Sequence, residues 1–300
     1  MALSFGFPGR SRARTGRAGD STAARTRRRR PRTGPILALA VLLVLALTAP
    51  AWAIVYGQPD DGRHPNVGAM LYDVEQDGVL DQICTGTLIS TTVFLTASHC
   101  TAFVQELGAG PGSVAVTFDD TIGEDPTVYF GTAHTHPDFG FSGPGGMSDP
   151  HDIAVVVLDE AVPSIMPAAL PEENALDELK ASGELRTSRF TAVGYGAVRH
   201  TRKGGPAAIL PNSERRFATQ DALALTKAWL TLSMNQATGD GGTCYGDSGG
   251  PHFLGAGSSE TDVVVSITVT GDSVCKATDK TYRVDTASAQ EFLGDFVVLP

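Results

Sequence analysis

The chain has 300 residues, of which 42% are hydrophobic, and a formal net charge of −10, so it can bury a full globular core. The charge is unevenly distributed, because residues 1–53 contain ten arginines and a single acid, Asp20, whereas the remainder has 13 basic and 32 acidic residues, a balance of about −19. A segment this acidic lacks the basic face that nucleic acid or an anionic membrane requires, and we expect neither as a partner.

Residues 1–53 have the three parts of a secretory signal peptide. A long arginine-rich stretch comes before an apolar run over residues 36–47, and Ala51-Trp-Ala provides a small-residue cleavage site. The apolar run is shorter than the about 20 residues that span a bilayer. We therefore predict a secreted, extracellular protein whose mature chain covers residues 54–300 and begins at Ile54. An uncleaved anchor and cleavage behind Ala51 are the alternatives.

Short β-segments broken by Gly, Pro and Asp follow the signal. The pattern predicts strands over residues 67–72, 83–90, 114–118 and 127–133, and a further strand from Val93 that ends at His99. Asp152 leads into another apolar strand, where a buried carboxylate needs a hydrogen-bond partner such as a histidine N–H. The acids between residues 119 and 125 lack the spacing of a calcium loop and indicate a solvated turn.

The second half of the chain repeats this β character. A connection over residues 163–183, with a short helix near 172–180, comes before strands that start at Phe190 and cover 262–270 and 282–284. Residues 199–211 are predicted to form a polar loop. An amphipathic helix is predicted over 286–296, with Asp285 as its N-cap.

Ser248 stands among glycines directly after Asp247, within the segment GDGGTCYGDSGGP. A serine hydroxyl attacks a carbonyl only when a positioned base takes its proton. Glycines permit a tight turn and close approach to a substrate. The same turn can aim the N–H groups of Gly246 and Ser248 at one developing negative oxygen.

The four cysteines, an even number in an exported chain, predict two disulfides. Three pairings are possible. The pairs Cys84–Cys100 and Cys244–Cys275 are favoured, because each closes a short loop within one half of the chain. Neither C-x-x-C nor H-x-x-x-H spacing occurs, so we expect no metal site and no cofactor.

These segments together resemble the chymotrypsin/trypsin-like serine protease family. The resemblance rests on TASHC, HDIAVVVL, VGYGAV and GDGGTCYGDSGGP, with IVYG at the predicted mature start. It implies an all-β fold of two six-stranded antiparallel β-barrels with the active site between them, closed by a C-terminal helix. The implied limits are about 54–165 for the first barrel, 183–285 for the second and 286–296 for the helix.

The resemblance also implies residue roles. His99 is the general base and acid, Asp152 orients it, and Ser248 is the nucleophile. The N–H groups of Gly246 and Ser248 form the oxyanion hole. A free Ile54 amine pairs with Asp247; since no propeptide separates Ala53 from Ile54, signal cleavage itself would supply that amine.

Gly242 stands where trypsin carries an aspartate at the base of its specificity pocket. With Gly271 it is assigned to this pocket, which predicts an uncharged P1 residue in a protein or peptide substrate of a monomeric enzyme. A catalytically weak, protease-like binding module is the alternative. An α/β-hydrolase is disfavoured, because its histidine comes last in chain order.

Overall fold

The structure, a computed structural model, describes residues 54–140, 148–200 and 208–300. The predicted signal, residues 1–53, lies outside the described residues. The described chain begins with a two-residue strand, β1 (Gln58–Pro59), which pairs with the second barrel and not with the first. Within the described ranges, no helix has the length and apolar content needed to cross a bilayer.

The first barrel is closed, six-stranded and antiparallel. A nine-residue helix, α1 (Ser98–Glu106), follows its third strand. The strands of this barrel in chain order are β2 (Val67–Tyr72), β3 (Asp81–Leu88), β4 (Val93–Thr96), β5 (Val114–Thr117), β6 (Tyr129–Thr135) and β7 (Ala154–Leu158). In space they follow the order β2-β3-β4-β7-β6-β5, and β5 pairs with β2 to close the barrel. β4 is buried along its whole length, as expected for a strand of apolar and β-branched residues.

A connecting helix, α2 (Ala175–Ser182), leads to the second barrel. It begins three residues later than predicted, because Asn174 adopts a left-handed conformation with φ 65° that interrupts the helical backbone. Gly183, also left-handed, ends it.

The second barrel is likewise closed, six-stranded and antiparallel, with β1 added outside it. The elements of this half in chain order are β8 (Arg189–Gly194), β9 (Val198–His200), β10 (Ala208–Leu210), β11 (Arg216–Leu225), β12 (Trp229–Ser233), β13 (Pro251–Leu254), β14 (Val264–Gly271), β15 (Thr278–Arg283) and the C-terminal helix α3 (Ala287–Leu293). β8 pairs with both β13 and β11, which closes the barrel. β9 and β10 form a separate antiparallel two-stranded sheet.

Two local predictions in this half were wrong. The two ends of the predicted polar loop over residues 199–211 are the paired strands β9 and β10, and residues 201–207 lie outside the described residues. Side-chain composition does not reveal this pairing, because it depends on cross-strand backbone hydrogen bonds. The N-cap of α3 is Thr286, whose side chain accepts from the Ala289 N–H, and not Asp285. Asp285 is instead buried, where it pairs with Arg283 and accepts from the Leu176 N–H.

A buried ion pair ties the start of the chain to both barrels. Arg215, 2% exposed, donates from Nε to Asp60 at 2.9 Å and from Nη1 to the carbonyls of Val67 and Phe118. Asp60 also accepts from the backbone N–H of His64. Removing one member of such a buried pair leaves an uncompensated charge, which typically costs about 3–5 kcal/mol. The pair of Asp60 and Arg215 therefore holds the segment after Ile54 firmly in place.

The four cysteines, all in the described part of the chain, form two disulfides. Cys84–Cys100 joins β3 to α1, and Cys244–Cys275 joins the segment before Ser248 to the loop after β14. This is the pairing that the short-loop argument favoured. Both crosslinks lie beside the site described next, and each restrains one of its walls.

Candidate active site

His99 and Asp152 are brought together by the pairing of β4 with β7. Thr96, the last residue of β4, lies opposite Ala154, the first residue of β7. The chain turns at Ala97, so α1 begins at Ser98 and His99 lies in the first turn of a helix. The prediction that His99 ends a strand was therefore wrong by three residues, since the Cys100 N–H bonds to the carbonyl of Ala97 and starts the helix there.

Asp152 holds His99 through two hydrogen bonds. One carboxylate oxygen accepts from the His99 backbone N–H and the other from its ring Nδ1, both at 2.9 Å. Asp152 is only 4% exposed, whereas the His99 side chain is 34% exposed. Since a carboxylate oxygen faces Nδ1, that nitrogen carries a proton, and in the neutral ring the lone pair is on Nε2.

Ser98 supports this pair from behind, a role that sequence reasoning missed. Its hydroxyl donates to the carbonyl of Ile153 at 2.6 Å and accepts from the His136 N–H at 3.1 Å. Ser98 is completely buried, so its two hydrogen bonds fix the start of α1 against the start of β7. The sequence carries no signal for this role beyond a small polar residue beside His99.

Ser248 approaches the same region from the second barrel. Its carbonyl accepts from the Thr85 N–H at 2.9 Å and lies 3.8 Å from the sulfur of Cys100. A ring nitrogen of His99 lies within 4.8 Å of the Cys84–Cys100 sulfurs, so this disulfide adjoins both residues. The Ser248 hydroxyl has no hydrogen-bond partner among the described residues, His99 included.

The N–H groups of Gly246 and Ser248 are likewise unpartnered in the described part of the chain. In a trans peptide the C=O and the following N–H point in opposite directions. Ala197 donates to the carbonyl preceding Gly246 at 2.7 Å, and Gly250 donates to the carbonyl preceding Ser248 at 2.8 Å. Each bond therefore fixes the direction of one free N–H, and neither anchor was predicted.

Two side chains of β3 fix the next peptide. Gln82 and Thr85 both donate to the carbonyl of Gly246, at 3.0 and 2.9 Å. Gly246 itself has φ 95°, a conformation that favours glycine. The turn before Ser248 is thus held from both barrels.

Asp247 is completely buried, without a cationic partner among the described residues. It accepts from the N–H groups of Cys244 and Gly196, at 2.8 and 2.7 Å. Burial raises its pKa from an ordinary 3.8 to about 7, although the two backbone hydrogen bonds lower it. A β-carbon at Gly194 or Gly196 would come within 2.1 or 2.3 Å of this carboxylate, which explains the glycines on both sides of Tyr195.

Ile54 is also completely buried, but no hydrogen bond or ion pair joins it to Asp247 in the described structure. Its neighbour Val55 accepts at its carbonyl from the Gly242 N–H at 3.0 Å. In the 300-residue chain Ile54 lies within a peptide and has no charged amine, so Asp247 has no counter-charge from this source.

A cavity of about 280 Å³ lies beside Ser248, between the segment 243–245 and the strand end at 268–273. Of the two glycines assigned to a specificity pocket, Gly271 lines this cavity and Gly242 does not. Gly242 packs against Gln220 and Met234, and a β-carbon there would come within 2.4 Å of the Gln220 amide nitrogen.

Two carboxylates stand near this cavity. Asp272 lines it, and its oxygens accept from the N–H groups of residues 276, 277 and 278. Burial raises the pKa of Asp272, but these backbone hydrogen bonds outweigh it and lower the pKa overall. Asp279 is fully buried behind the wall, where one oxygen accepts from Gln220 and His252. No lysine or arginine lines the cavity among the described residues.

One group of three potential metal ligands occurs in the described structure, Cys84, His99 and Cys100. Both cysteines are disulfide-bonded, so their sulfurs are not thiolates and cannot serve as metal ligands.

The barrels define the class of protein. Two closed six-stranded antiparallel barrels followed by a C-terminal helix form a chymotrypsin-like fold. HL collagenase has a solved structure that matches with a TM-score of 0.55 over 80% of this chain and 97% of that one, at 17% identity. A likeness at this identity concerns the fold alone.

Sequence comparison gives the family. The trypsin family model matches residues 54–292. Venom serine protease Bi-VSP of Bombus ignitus is 28% identical over 215 residues, which are 67% of this chain and 57% of that protein. The chain thus spans less than two thirds of that relative. Because the family model covers most of its length, this chain belongs to the trypsin family of serine proteases.

The buried Asp247 predicts a pH-dependent instability of the 300-residue chain. An acid with a raised pKa favours folding only while it is protonated. The unfolding free energy should therefore fall as pH rises from about 4 to about 7, by up to about 1.4 kcal/mol per pH unit. Asp247→Asn should flatten this slope, because it removes the titrating group.

The measurement is urea unfolding at pH 4, 5.5 and 7, in a Ser248→Ala background that prevents self-cleavage. Glu178→Gln, which removes an exposed charge on α2, is the matched control and should keep the parent slope. A slope that persists in Asp247→Asn would contradict the assignment.

Proposed function

We propose that residues 54–300 form a secreted serine endopeptidase that cleaves peptide bonds through an acyl-enzyme on Ser248. The supporting observation is the His99–Asp152 pair, in which Nδ1 faces the carboxylate and the His99 ring lies next to the disulfide that adjoins Ser248. Membership of the trypsin family supports hydrolase chemistry on protein substrates. The enzyme would act as a monomer and without a cofactor.

In the first step Ser248 Oγ bonds to the substrate carbonyl carbon as its proton passes to His99 Nε2. Asp152 stabilises the imidazolium and keeps the ring in the required tautomer. Collapse of the tetrahedral intermediate breaks the C–N bond, and His99 returns the proton to the leaving amine. Water then repeats the sequence on the ester. Ser248 Oγ is free to turn toward His99, since no other described group holds it.

The tetrahedral oxygen would be bound by the N–H groups of Gly246 and Ser248. Support for this role comes from their lack of internal partners and from the anchored carbonyls of the peptides they belong to. Donors whose orientation is fixed before reaction stabilise developing charge without reorganisation, and losing one typically costs about 3 kcal/mol of transition-state stabilisation.

Signal cleavage behind Ala53 would create the amine that Asp247 lacks. Ile54 and Asp247 are both completely buried, and a buried carboxylate with a raised pKa is strongly stabilised by a cation. Pairing would hold the turn at Gly246 in its active form. Export through residues 1–53 is thereby coupled to activation, and the venom protease relative is consistent with an extracellular enzyme.

The cavity beside Ser248 supports a preference for uncharged P1 residues. Its volume of about 280 Å³ suits a small or medium side chain. An acidic side chain would face Asp272. A basic one would find no second carboxylate in the lining, because Asp279 is completely buried outside it; one Asp279 oxygen accepts from Gln220 and His252, and the other has no partner among the described residues.

Triad variants test the chemistry. Ser248→Ala should lower kcat on a peptide substrate by about 10⁶-fold, and Asp152→Asn by about 10⁴-fold because the tautomer is lost. Ser258→Ala, at an exposed serine, is the control and should leave kcat unchanged. An organophosphate reagent should label wild-type Ser248; an unlabelled, inactive wild type would favour the binding-module alternative.

The mature terminus tests the activation pair. Sequencing of the secreted enzyme should find Ile54 first. Ile54→Val should retain activity, whereas one glycine inserted between Ala53 and Ile54 should lower kcat/KM at least about 100-fold, because the amine no longer reaches Asp247. A fully active enzyme that starts at Trp52 would refute the pairing.

Specificity is measured with peptides that differ only at P1, carrying Ala, Val, Leu, Phe, Arg or Glu. We expect kcat/KM for the best uncharged residue to exceed those for Arg and Glu by at least about tenfold, with Glu lowest. A preference for Arg would show that Asp272 or Asp279 serves as a charge partner and would contradict the proposal.

A further inference from the structure

A second, larger cavity of about 790 Å³ lies between the end of β6 and the C-terminal helix α3, behind the His99–Asp152 pair. Its volume is within the range of ligand sites, about 300–1,000 Å³, and nearly three times that of the cavity beside Ser248. Nothing in the proposed catalytic sequence uses it.

Aromatic rings form a continuous wall of this cavity. His134 contacts Phe296, Phe296 contacts Phe292, Phe292 contacts His136, and His136 stacks on His151, with ring centroids 4.7–5.2 Å apart. Ring faces and edges at this spacing provide flat apolar surface for a planar or methylene-rich ligand group. They also attract a cation placed over a ring face.

The rim of the cavity is acidic. Asp138, Glu291 and Asp295 line it with exposed carboxylates, and no lysine or arginine lines it in the described part of the chain. The three acids have no ion-pair partner among the described residues. This local charge agrees in sign with the balance of about −19 over residues 54–300. The cavity therefore favours a positively charged occupant.

His136 is the buried polar side chain of the cavity. The residue is 7% exposed, and its ring Nδ1 accepts from the Asp138 N–H at 3.1 Å. The ring proton must then lie on Nε2, which has no partner among the described residues. Burial lowers the pKa of His136, and the neighbouring His151 lowers it further. The neutral ring thus offers an N–H donor rather than a lone pair, which suits a carbonyl oxygen and not a metal ion.

Two residues of the cavity, His136 and His151, connect it to the His99–Asp152 pair. The His136 N–H bonds to Ser98, which comes directly before His99, and His151 comes directly before Asp152. His151 also has φ 53°, and its Nδ1 lies 2.9 Å from the Ser288 hydroxyl. An occupant of the cavity would therefore contact His151, which is next to Asp152, and His136, which is hydrogen-bonded to the residue before His99.

We propose that this cavity is a docking site for an arginine-bearing segment of a partner protein. The guanidinium lies between the aromatic wall and the carboxylates of Glu291 and Asp295, and a backbone carbonyl of the segment accepts from His136 Nε2. Arginine fits better than lysine because its planar group both stacks on rings and binds carboxylates with two hydrogens. The proposal does not rest on catalysis.

Binding is measured by calorimetry on secreted protein carrying Ser248→Ala, which cannot cleave the probe. The probe is acetyl-(Ala-Arg)₃-amide, and the matched neutral probe replaces each arginine with citrulline. Arginine amide is the small-cation probe. We expect the arginine peptide to bind at least about tenfold more tightly than either, because only it offers charge, carbonyls and length together.

Variants locate the site. Glu291→Gln/Asp295→Asn should weaken binding of the arginine peptide about five- to tenfold, and Phe296→Leu at least about threefold without a change in charge. Glu172→Gln/Glu178→Gln, which removes the same charge from exposed positions near and on α2, should change binding less than twofold.

Three results would overturn the proposal. Equal weakening by both double variants would mean general attraction to an acidic protein. Binding of the citrulline peptide as tight as that of the arginine peptide would remove the role of charge. Arginine amide binding as tightly as the peptide would mean that the cavity takes a single small cation and not a chain segment. None of these outcomes depends on whether the enzyme is active.

Discussion

The hydrogen bonds from His99 to Asp152 are the interaction on which the arrangement of the site depends. A carboxylate that is 4% exposed is tolerable only when both oxygens are satisfied, and the backbone and ring of one residue satisfy them. The hydrogen bond to the ring fixes the tautomer of His99. The hydrogen bond to the backbone requires α1 to start beside β7. Ser98 and the Cys84–Cys100 disulfide reinforce that position from two further directions. The His99 ring is thus oriented by contacts within the first barrel.

Asp247 is a contrasting case, in which a buried carboxylate has only backbone donors. Two glycines make room for it, two N–H groups bind it, and its pKa is nevertheless raised to about 7. Ionising a buried acid without a counter-charge costs free energy, and a new cation beside it lowers that cost. In the proposed activation, one cleavage is sufficient. Removing residues 1–53 creates a charged amine at Ile54, which would pair with Asp247, without any other covalent change. The buried pair of Asp60 and Arg215 already holds the following segment in place.

Acidity has different consequences at the two cavities. Beside Ser248, Asp272 is occupied by backbone N–H groups and Asp279 is enclosed, so the wall offers a side chain little free charge. At the cavity between β6 and α3, three carboxylates remain without an ion-pair partner among the described residues and line the same cavity as the aromatic rings. Together the two proposals describe a protein with a neutral preference at the scissile bond and a cationic preference at a distance, which would select substrates or regulators by two separate features.

The sequence by itself indicated a β-rich chain through strand-length apolar segments separated by turn residues, and the resemblance of its motifs to the chymotrypsin/trypsin-like family implied the two-barrel fold. It also singled out His99, Asp152 and Ser248, since few residue types can perform nucleophilic chemistry. Only the tertiary structure decided where the helix begins at Ser98, which way the N–H groups of Gly246 and Ser248 point, and that Gly242 lies outside the cavity that Gly271 lines. The directions of these N–H groups depend on backbone groups of Ala197, which is distant in the chain, and of nearby Gly250, and the N–H of distant Thr85 holds the Ser248 carbonyl. Such groups leave no mark in the sequence, because every residue except proline carries the same N–H and every residue the same C=O. Side-chain pattern therefore reveals which groups can react, whereas long-range backbone pairing decides how they are aimed.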